Sequence, residues 1–337
     1  MPGLKTIYSK DGTPITDIKA SVIRSSLLNE VGEAVFFMST ASTKSRREVL
    51  EYGNFLYIQN DSLPDWVGVI DTPRVWHHGY VEVHAFEPQF LLAYRLAPLN
   101  GIIEGTPGEK FTDLLAVANG REDTLIRAGN VFTGGISSQE TMTGSVGEHI
   151  KKIRENAKHD WILTPNIDAA GRLTIIMDWL EKAGVLTDLE LSQGQNILYG
   201  DTPLEESGEL INSIQAVSDV TGGTQTVTTY QDDTARSTNG LREVRQSLSG
   251  TSEVTALTSN TKQIIDLQKS ASLSTPLTAV NVGSTFANIR IGNIVKYKYT
   301  DVGFDGDVLG MTQFVRIEGY RFDESNGTCE LFTGKVV

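Results

Sequence analysis

Residues 281–332 read NVGSTFANIRIGNIVKYKYTDVGFDGDVLGMTQFVRIEGYRFDESNGTCELF. Three runs in this stretch have the texture of β-strands. Ile289–Tyr299 carries Ile289, Ile291, Val295, Tyr297 and Tyr299 at near-alternate positions. Gln313–Phe322 does the same with Phe314, Val315, Ile317, Tyr320 and Phe322, and Thr328–Phe332 is a short third run. Gly303-Phe-Asp-Gly306 and Asn326-Gly327 stand between the runs and offer residues that accept a positive φ. Such alternation, bounded by Gly, Asn and Asp, predicts an antiparallel meander with one wet face. Asn326-Gly327 is the strongest hairpin signal in the chain. No catalytic group stands out here, so the rest of the chain is read for architecture first.

Of the 337 residues, 39% are hydrophobic and 21% charged, an ordinary globular composition. That length holds two or three small domains or one elaborated β-rich domain. A net charge of −13 argues against a basic surface for nonspecific nucleic-acid binding and against an anionic membrane surface as partner. Cys329 stands alone, which excludes an intrachain disulfide framework and a cysteine-cluster zinc site. The N-terminal sequence has no apolar core of signal-peptide length. No segment approaches a transmembrane span.

Toward the N-terminus, Lys5–Tyr8, Asp11-Gly12 and Ile15–Ile18 predict a strand, a tight turn and a return strand. Glu33–Ser39 is a compact apolar run. Phe55–Gln59 alternates and stops at Asn60-Asp61, Trp66–Ile70 resumes until Pro73 breaks it, and Tyr80–Phe86 alternates around Glu82 and His84. Six short strands in about ninety residues predict a closed or nearly closed antiparallel barrel or sandwich. Phe90, Leu91 and Tyr94 fall at helical spacing and predict a short covering helix.

The texture changes after Arg95. Thr106-Pro107-Gly108-Glu109 is a capping-box pattern with Pro at the first helical position. Phe111, Leu114, Leu115 and Ala118 share one face of the helix it opens, and Asn119-Gly120 predicts a left-handed cap. A second capping box, Ser145 to Glu148, precedes a stripe of Val146, Ile150, Ile153 and Ala157. Trp161 to Met177 then reads as a hairpin. Residues 96–195 thus predict a mixed α/β unit set into β-rich surroundings. Residues 196–217 read as extended. Residues 218–252 read as a long polar loop, or as strands with a short helix at Leu241–Leu248. Val254–Ala271 predicts a helix with Leu257, Ile264, Leu267 and Ala271 on one face, ended by Pro276. No short-period repeat is present.

Candidate chemistry is sparse. His77-His78 with His84 raises a metal site, but adjacent residues of a strand point to opposite faces and no acidic or cysteine ligand has the expected spacing. His159-Asp160 falls at a helix end, where a histidine suits the C-terminal dipole. Glu104, Glu109, Asp178, Glu181, Glu205 and Glu206 offer carboxylate pairs, yet nothing in the sequence draws two of them into a cleft. There is no Walker loop, nucleophile elbow or HExxH. Gly129–Gly135 is glycine-rich without matching a phosphate loop and reads as a surface turn. Asn60-Asp-Ser62 and Asn326-Gly-Thr328 match a glycosylation sequon by chance. Trp66, Trp76, Trp161 and Trp179 are expected in cores or interfaces. No catalytic, cofactor-binding or metal-ligating residue is assigned, and no cofactor is expected.

In their order, four patterns resemble the hub family of bacteriophage tail tips and baseplates. The first is Phe55-Leu-Tyr-Ile-Gln-Asn60 followed by Trp66-Val-Gly-Val-Ile70, similar to a hairpin of the family's first tube-like barrel. The second is the helix at Ser145–Lys158 running into the hairpin Trp161–Met177. The third is Asn196-Ile-Leu-Tyr199 with Gly208–Val217. The fourth is Arg290–Tyr297 with Val315–Tyr320, resembling the second barrel.

The resemblance implies an α+β, mainly β fold with two tail-tube-like antiparallel β-barrel domains and an inserted mixed α/β region. Residues 1–95 would form the first barrel, 96–195 the inserted α/β domain, 196–278 a connecting region of extended strands, polar loop and helix, and 279–337 the closing strands of the second barrel. It further implies a homotrimeric structural hub of the tail tip or baseplate, not an enzyme. Such a ring joins the sixfold tail tube to a threefold spike or fibre and lines the DNA passage. Its partners would be tail tube or distal tail ring proteins, spike or fibre proteins and the tape measure protein. DNA would be met only in transit, and no membrane insertion by this chain is expected. The location would be the virion, after assembly in the bacterial host cytoplasm. The chain ends without the fibre, lysozyme or peptidase extension of some hubs. Two alternatives stay open: another tail ring component, such as a distal tail or tube protein, and a β protein that binds or cleaves cell-surface carbohydrate.

Overall fold

Gly12, at φ 79, reverses the chain between β1 (Leu4–Tyr8) and β2 (Pro14–Ile18). Then come β3 (Ser21–Leu27), β4 (Glu33–Ser39), β5 (Phe55–Gln59), β6 (Trp66–Trp76) and β7 (Tyr80–Phe86). The computed structural model describes residues 3–60, 62–198, 205–206, 211–219, 226–249, 277–282, 285–302 and 308–335, with isolated positions between 254 and 273. The expected turn at Gly303–Gly306, the helix stop at Pro276, and Asp61, Leu267 and Ala271 lie outside those residues.

β4 and β7 alternate buried and half-buried side chains, as their sequence period requires. β5 is buried on both faces. Leu56 and Ile58 join a core with Ile7, Phe36, Trp66 and Val83, while Phe55 and Tyr57 join a second core on the opposite side. β6 does not stop at Pro73. It continues to Trp76, and its pairing with β7 slips between Asp71 and Val75. A proline has no N–H for the ladder, and an irregularity in register is where a sheet tolerates it.

A 3₁₀ turn at Pro88–Tyr94 leads to β8 (Ile102–Gly105) and α1 (Pro107–Asn119). The capping box is formed: Glu109 N donates to Thr106 Oγ1 at 3.4 Å and Thr106 N to Glu109 Oε2 at 2.7 Å. Gly120 closes the helix in the right-handed region rather than the expected left-handed one. Asn119 is already engaged onward, its Nδ2 donating to Ile126 O at 2.9 Å and its Oδ1 accepting from Thr124 N at 3.0 Å. β9 (Ile126–Val131), β10 (Ser138–Thr141), α2 (Val146–Ala157), β11 (Asp160–Ile167) and β12 (Leu173–Leu180) complete this region. β12 pairs with β11 antiparallel and with β9 parallel. The apolar stripes of both helices meet Trp161, Trp179, Phe55 and Tyr57 in the second core.

β13 (Leu186–Ser192) is the last strand before the chain leaves this unit. The chain falls into two compact units, Met1–Asp201 with Pro276–Phe332, and Thr202–Thr275 with Thr333–Val337. In the smaller unit β14 (Glu205–Glu206) precedes a three-stranded sheet, β16–β15–β17, built from β15 (Ser213–Asp219), β16 (Val227–Gln231) and β17 (Glu243–Ser249). α3 (Asp233–Asn239) lies between β16 and β17, capped by Asp232, and Gly240 at φ 72 ends it. The short helix anticipated at Leu241–Leu248 is thus strand β17, paired in parallel with β15, and the helix precedes it. Val254, Leu257 and Ile265 are helical, and Leu257 and Ile265 pack on Ile214 and Ala216. β18 (Ser272–Leu273) pairs with β14.

The larger unit resumes with β19 (Leu277–Val280), β20 (Ile294–Val302), β21 (Val308–Asp323) and β22 (Thr328–Lys335). The predicted meander is present, with Gly327 at φ 65 in the turn before β22. The two expected β-barrels are not. Strands from both ends of the chain lie in one 12-stranded sheet with the path β13-β20-β21-β3-β4-β7-β6-β5-β1-β2, and β22 pairs with β21 and β19. β13 and β2 end the path without meeting, so no sheet among the described residues closes on itself. The reason lies in β21 and β3. β21 is 16 residues long; it pairs with β20 as far as Arg316, then with β3 from Gly319↔Leu27 to Asp323↔Ile23. β3 is the one N-terminal strand absent from the six-strand reading, because Arg24, Ser25 and Ser26 interrupt its apolar pattern. Inserted between β4 and β21, it makes one sheet of what the sequence suggested were two.

Candidate functional site

One group of buried polar side chains joins the β3–β4 turn, the start of β11 and β21. Lys158 takes a left-handed conformation (φ 57) and ends α2, so that His159, Asp160 and Trp161 enter β11 in different directions. Asp160 is 4% exposed. Its Oδ1 accepts from Asn29 Nδ2 at 2.8 Å, and its Oδ2 accepts from Ala183 N at 2.9 Å and from an Arg316 Nη at 2.5 Å. Asn29 sits at φ 63 between β3 and β4, and its own Oδ1 accepts from Trp161 N at 2.8 Å. Arg316, on β21, also donates to Ala183 O at 2.9 Å and Gly292 O at 3.3 Å. One carboxylate therefore ties together the β3–β4 turn, the start of β11, the segment after β12, and β21. Burial alone would raise the Asp160 carboxyl. The Ala183 N–H, Arg316 and Asn29 outweigh it and hold the group below the usual aspartate value. Beside this joint the backbone at Gly184 (φ 83) touches that at Gly292 (φ 86). A Cβ on Gly184 would lie 2.0 Å from the Gly292 carbonyl carbon, so no side chain fits.

A second polar cluster stands where β3 pairs with β21. Glu87 accepts from Ser26 Oγ at 2.5 Å, Gly32 N at 2.9 Å and Gln89 Nε2 at 3.0 Å. Burial pushes its carboxyl above the ordinary range. Arg24 is 2% exposed, and its two terminal nitrogens have no hydrogen-bond partner. Trp66 Nε1 donates to Ser25 O at 3.1 Å. Lys5 Nζ reaches Glu324 Oε1 at 2.8 Å, joining residues 319 positions apart.

The residues singled out in the sequence are scattered. His77 and His84 both approach Glu82, at 3.4 and 2.9 Å, and His77 stacks on Tyr80. The hydrogen bond from His84 leads in lowering the Glu82 pKa. Among the described residues no group of three or more His, Cys, Asp or Glu could hold a metal ion. His159 does not cap α2: its Nδ1 accepts from Trp179 Nε1 at 2.9 Å inside the core. Glu109 serves the helix cap, and Glu104 and Asp113 share with it the wall of an open depression of about 480 Å³. Asp178 Oδ1 accepts from Asn130 N at 2.6 Å, and the glycine-rich stretch expected as a surface turn begins inside β9, which ends at Val131 and pairs with β12. The side chains of Glu205 and Glu206 lie outside the described part. Trp66, Trp161 and Trp179 are buried, whereas Trp76 is 54% exposed. Cys329 is buried, and its thiol is pushed up to about 12 by that burial. Among the described residues, no helix is long and apolar enough to cross a membrane.

The joint residues Asn29, Asp160 and Arg316 had no mark in the sequence as a set. Arg316 occupies a polar position of an alternating strand. What unites them is a fold-level pairing.

No family model matches this chain, and no curated protein matches it. Solved structures do. The 43 kDa tail protein of prophage MuSo2 from Shewanella oneidensis aligns with a TM-score of 0.64 at 10% identity, over 98% of this chain and 98% of that one. The prophage tail protein gp18 of Listeria monocytogenes gives 0.62 at 13% identity, over 98% and 94%. The E. coli c3393 protein, a type VI secretion component described as similar to the T4 tail proteins gp27 and gp5, gives 0.52 at 10% identity, over 95% and 74%. At these identities the likeness is one of fold, and the fold of this chain is that of the phage-type tail proteins.

Proposed function

We propose that the chain is a structural component of a phage-type tail tip or baseplate: a homotrimeric hub that joins the sixfold tail tube to a threefold spike or fibre. The observation that carries this reading is the fold likeness, which runs the full length of this chain and nearly the full length of two prophage tail proteins. The buried polar groups agree with it. Asp160 and Glu87 are engaged by the chain's own segments, as a load-carrying part requires, and neither faces a second carboxylate across a cleft among the described residues. The role is structural rather than catalytic. The partners are tail tube or distal tail ring proteins above, spike or fibre proteins below and the tape measure protein. DNA crosses the ring, and an acidic chain of net charge −13 suits passage without adhesion. Residues 96–195 act as a brace on the ring, which is assembled in the bacterial cytoplasm and carried in the virion.

The test is the mass of the native oligomer at high protein concentration, by sedimentation or native mass spectrometry. Three chains per particle is the expected result. A hexamer would move the chain to the distal tail or tube class, and a monomer that persists when tail partners are added would defeat the hub reading.

A further inference from the structure

The hydrogen bond that buries His159 fixes its tautomer. Trp179 Nε1 lies 2.9 Å from His159 Nδ1. An indole N–H only donates, so Nδ1 is the acceptor and the proton of the neutral ring sits on Nε2. A second proton has only Nδ1 to bind, and there it would face the indole N–H donor to donor. Trp179 is fully buried at the centre of its core, stacked on Phe111 of α1 at 4.9 Å and tilted against Trp161 of β11 at 6.5 Å. Phe132, just after β9, meets the imidazole edge-on at 5.2 Å. Next in the chain to His159 is Asp160, which grips Asn29, Ala183 and Arg316.

We propose that the His159–Trp179 hydrogen bond is an acid-released latch. Protonation of Nδ1 removes the indole's acceptor, loosens the α2–β11–β12 packing, and slackens through Asp160 the joint to the β3–β4 turn and β21. The latch belongs to the single chain and needs no partner.

The charges that act on the ring define when it opens. Burial is the largest influence and disfavours the imidazolium; Glu181 and Asp160 favour it, and Lys182 opposes it. From outside its own strand Trp179, Phe132 and Gly135 lie against the ring and carry no charge, so the charges acting on it are those of Asp160 next to it and of Glu181 and Lys182 after β12. The folded ring therefore binds a proton less readily than the unfolded chain does. The stability contributed by the latch is complete above the ordinary histidine value of about 6.5 and is lost as pH falls below it.

The experiment follows the whole chain by hydrogen exchange and by imidazole NMR as pH falls from about 7.5 to about 5. Amides of α2, β11 and β12 are expected to lose protection while those of β4 and β7 keep it, in step with the His159 titration. In His159→Asn, whose Oδ1 takes the place of Nδ1 and still accepts from the indole, this acid step disappears. In Trp179→Phe, which frees Nδ1, the His159 midpoint rises toward the ordinary value. Uniform loss of protection across the sheet, or an acid step unchanged in His159→Asn, overturns the proposal. Should that variant fail to fold, a His159 midpoint in Trp179→Phe equal to the native one overturns it alone.

Discussion

At the scale of single residues, Asp160 has the most demanding position. It is buried and ionised, and every contact it makes crosses to a different part of the larger unit. Replacing it by Asn keeps the shape but leaves the Arg316 guanidinium without its counter-charge. Breaking a buried pair in this way costs about 3–5 kcal/mol, to be read from urea unfolding. A loss under about 1 kcal/mol would mean that Arg316 is satisfied elsewhere. Because the folded carboxyl is held low, its contribution is present above about 3.9 and is lost as pH falls through the lower folded value. Trp66 makes a different case. It is buried against Ile7, Phe36 and Val83, with its indole N–H on Ser25 O. Trp66→Ala should cost about 3–5 kcal/mol in thermal or denaturant unfolding. Native stability with only partner binding lost would make it an interface anchor instead.

At the scale of elements, what was legible in the sequence was local. Two helices announced themselves by Thr106/Glu109 and Ser145/Glu148, and both caps are made as read. The closing turn announced itself by Asn326-Gly327. β3 did not, because its buried positions include Arg24 and Ser26, whose neighbours Glu87 and Tyr320 come from β7's end and β21. A polar residue at a core position looks like the end of a strand until its partner is known. β17 was misplaced for a related reason: a short segment with a weak period takes its state from the strand beside it. These differences predict unequal tolerance. Lys151→Glu, on the exposed face of α2, should shift stability by no more than about 0.5 kcal/mol. Val315→Pro removes a ladder donor and a fully buried side chain from β21. It should cost well over about 3 kcal/mol and abolish the native fold, as circular dichroism of the purified variants will show.

At the scale of the whole molecule, the joint was invisible in the sequence for the same reason that the sheet path was. Alternation tells which face of a strand is buried but not which strand lies beside it. Asn29 and Arg316 were not singled out, Asp160 was read only as part of a helix end, and the β21–β3 pairing brings the three together. That pairing has a consequence for how the protein is made. β3 leaves the ribosome long before β21, the strand that covers its free edge. Until β21 follows, the nascent chain carries an uncovered strand edge and a buried-to-be Arg24, and contacts of such long sequence separation form slowly. An edge left open for so long is a place where two nascent chains can pair with each other before either is finished.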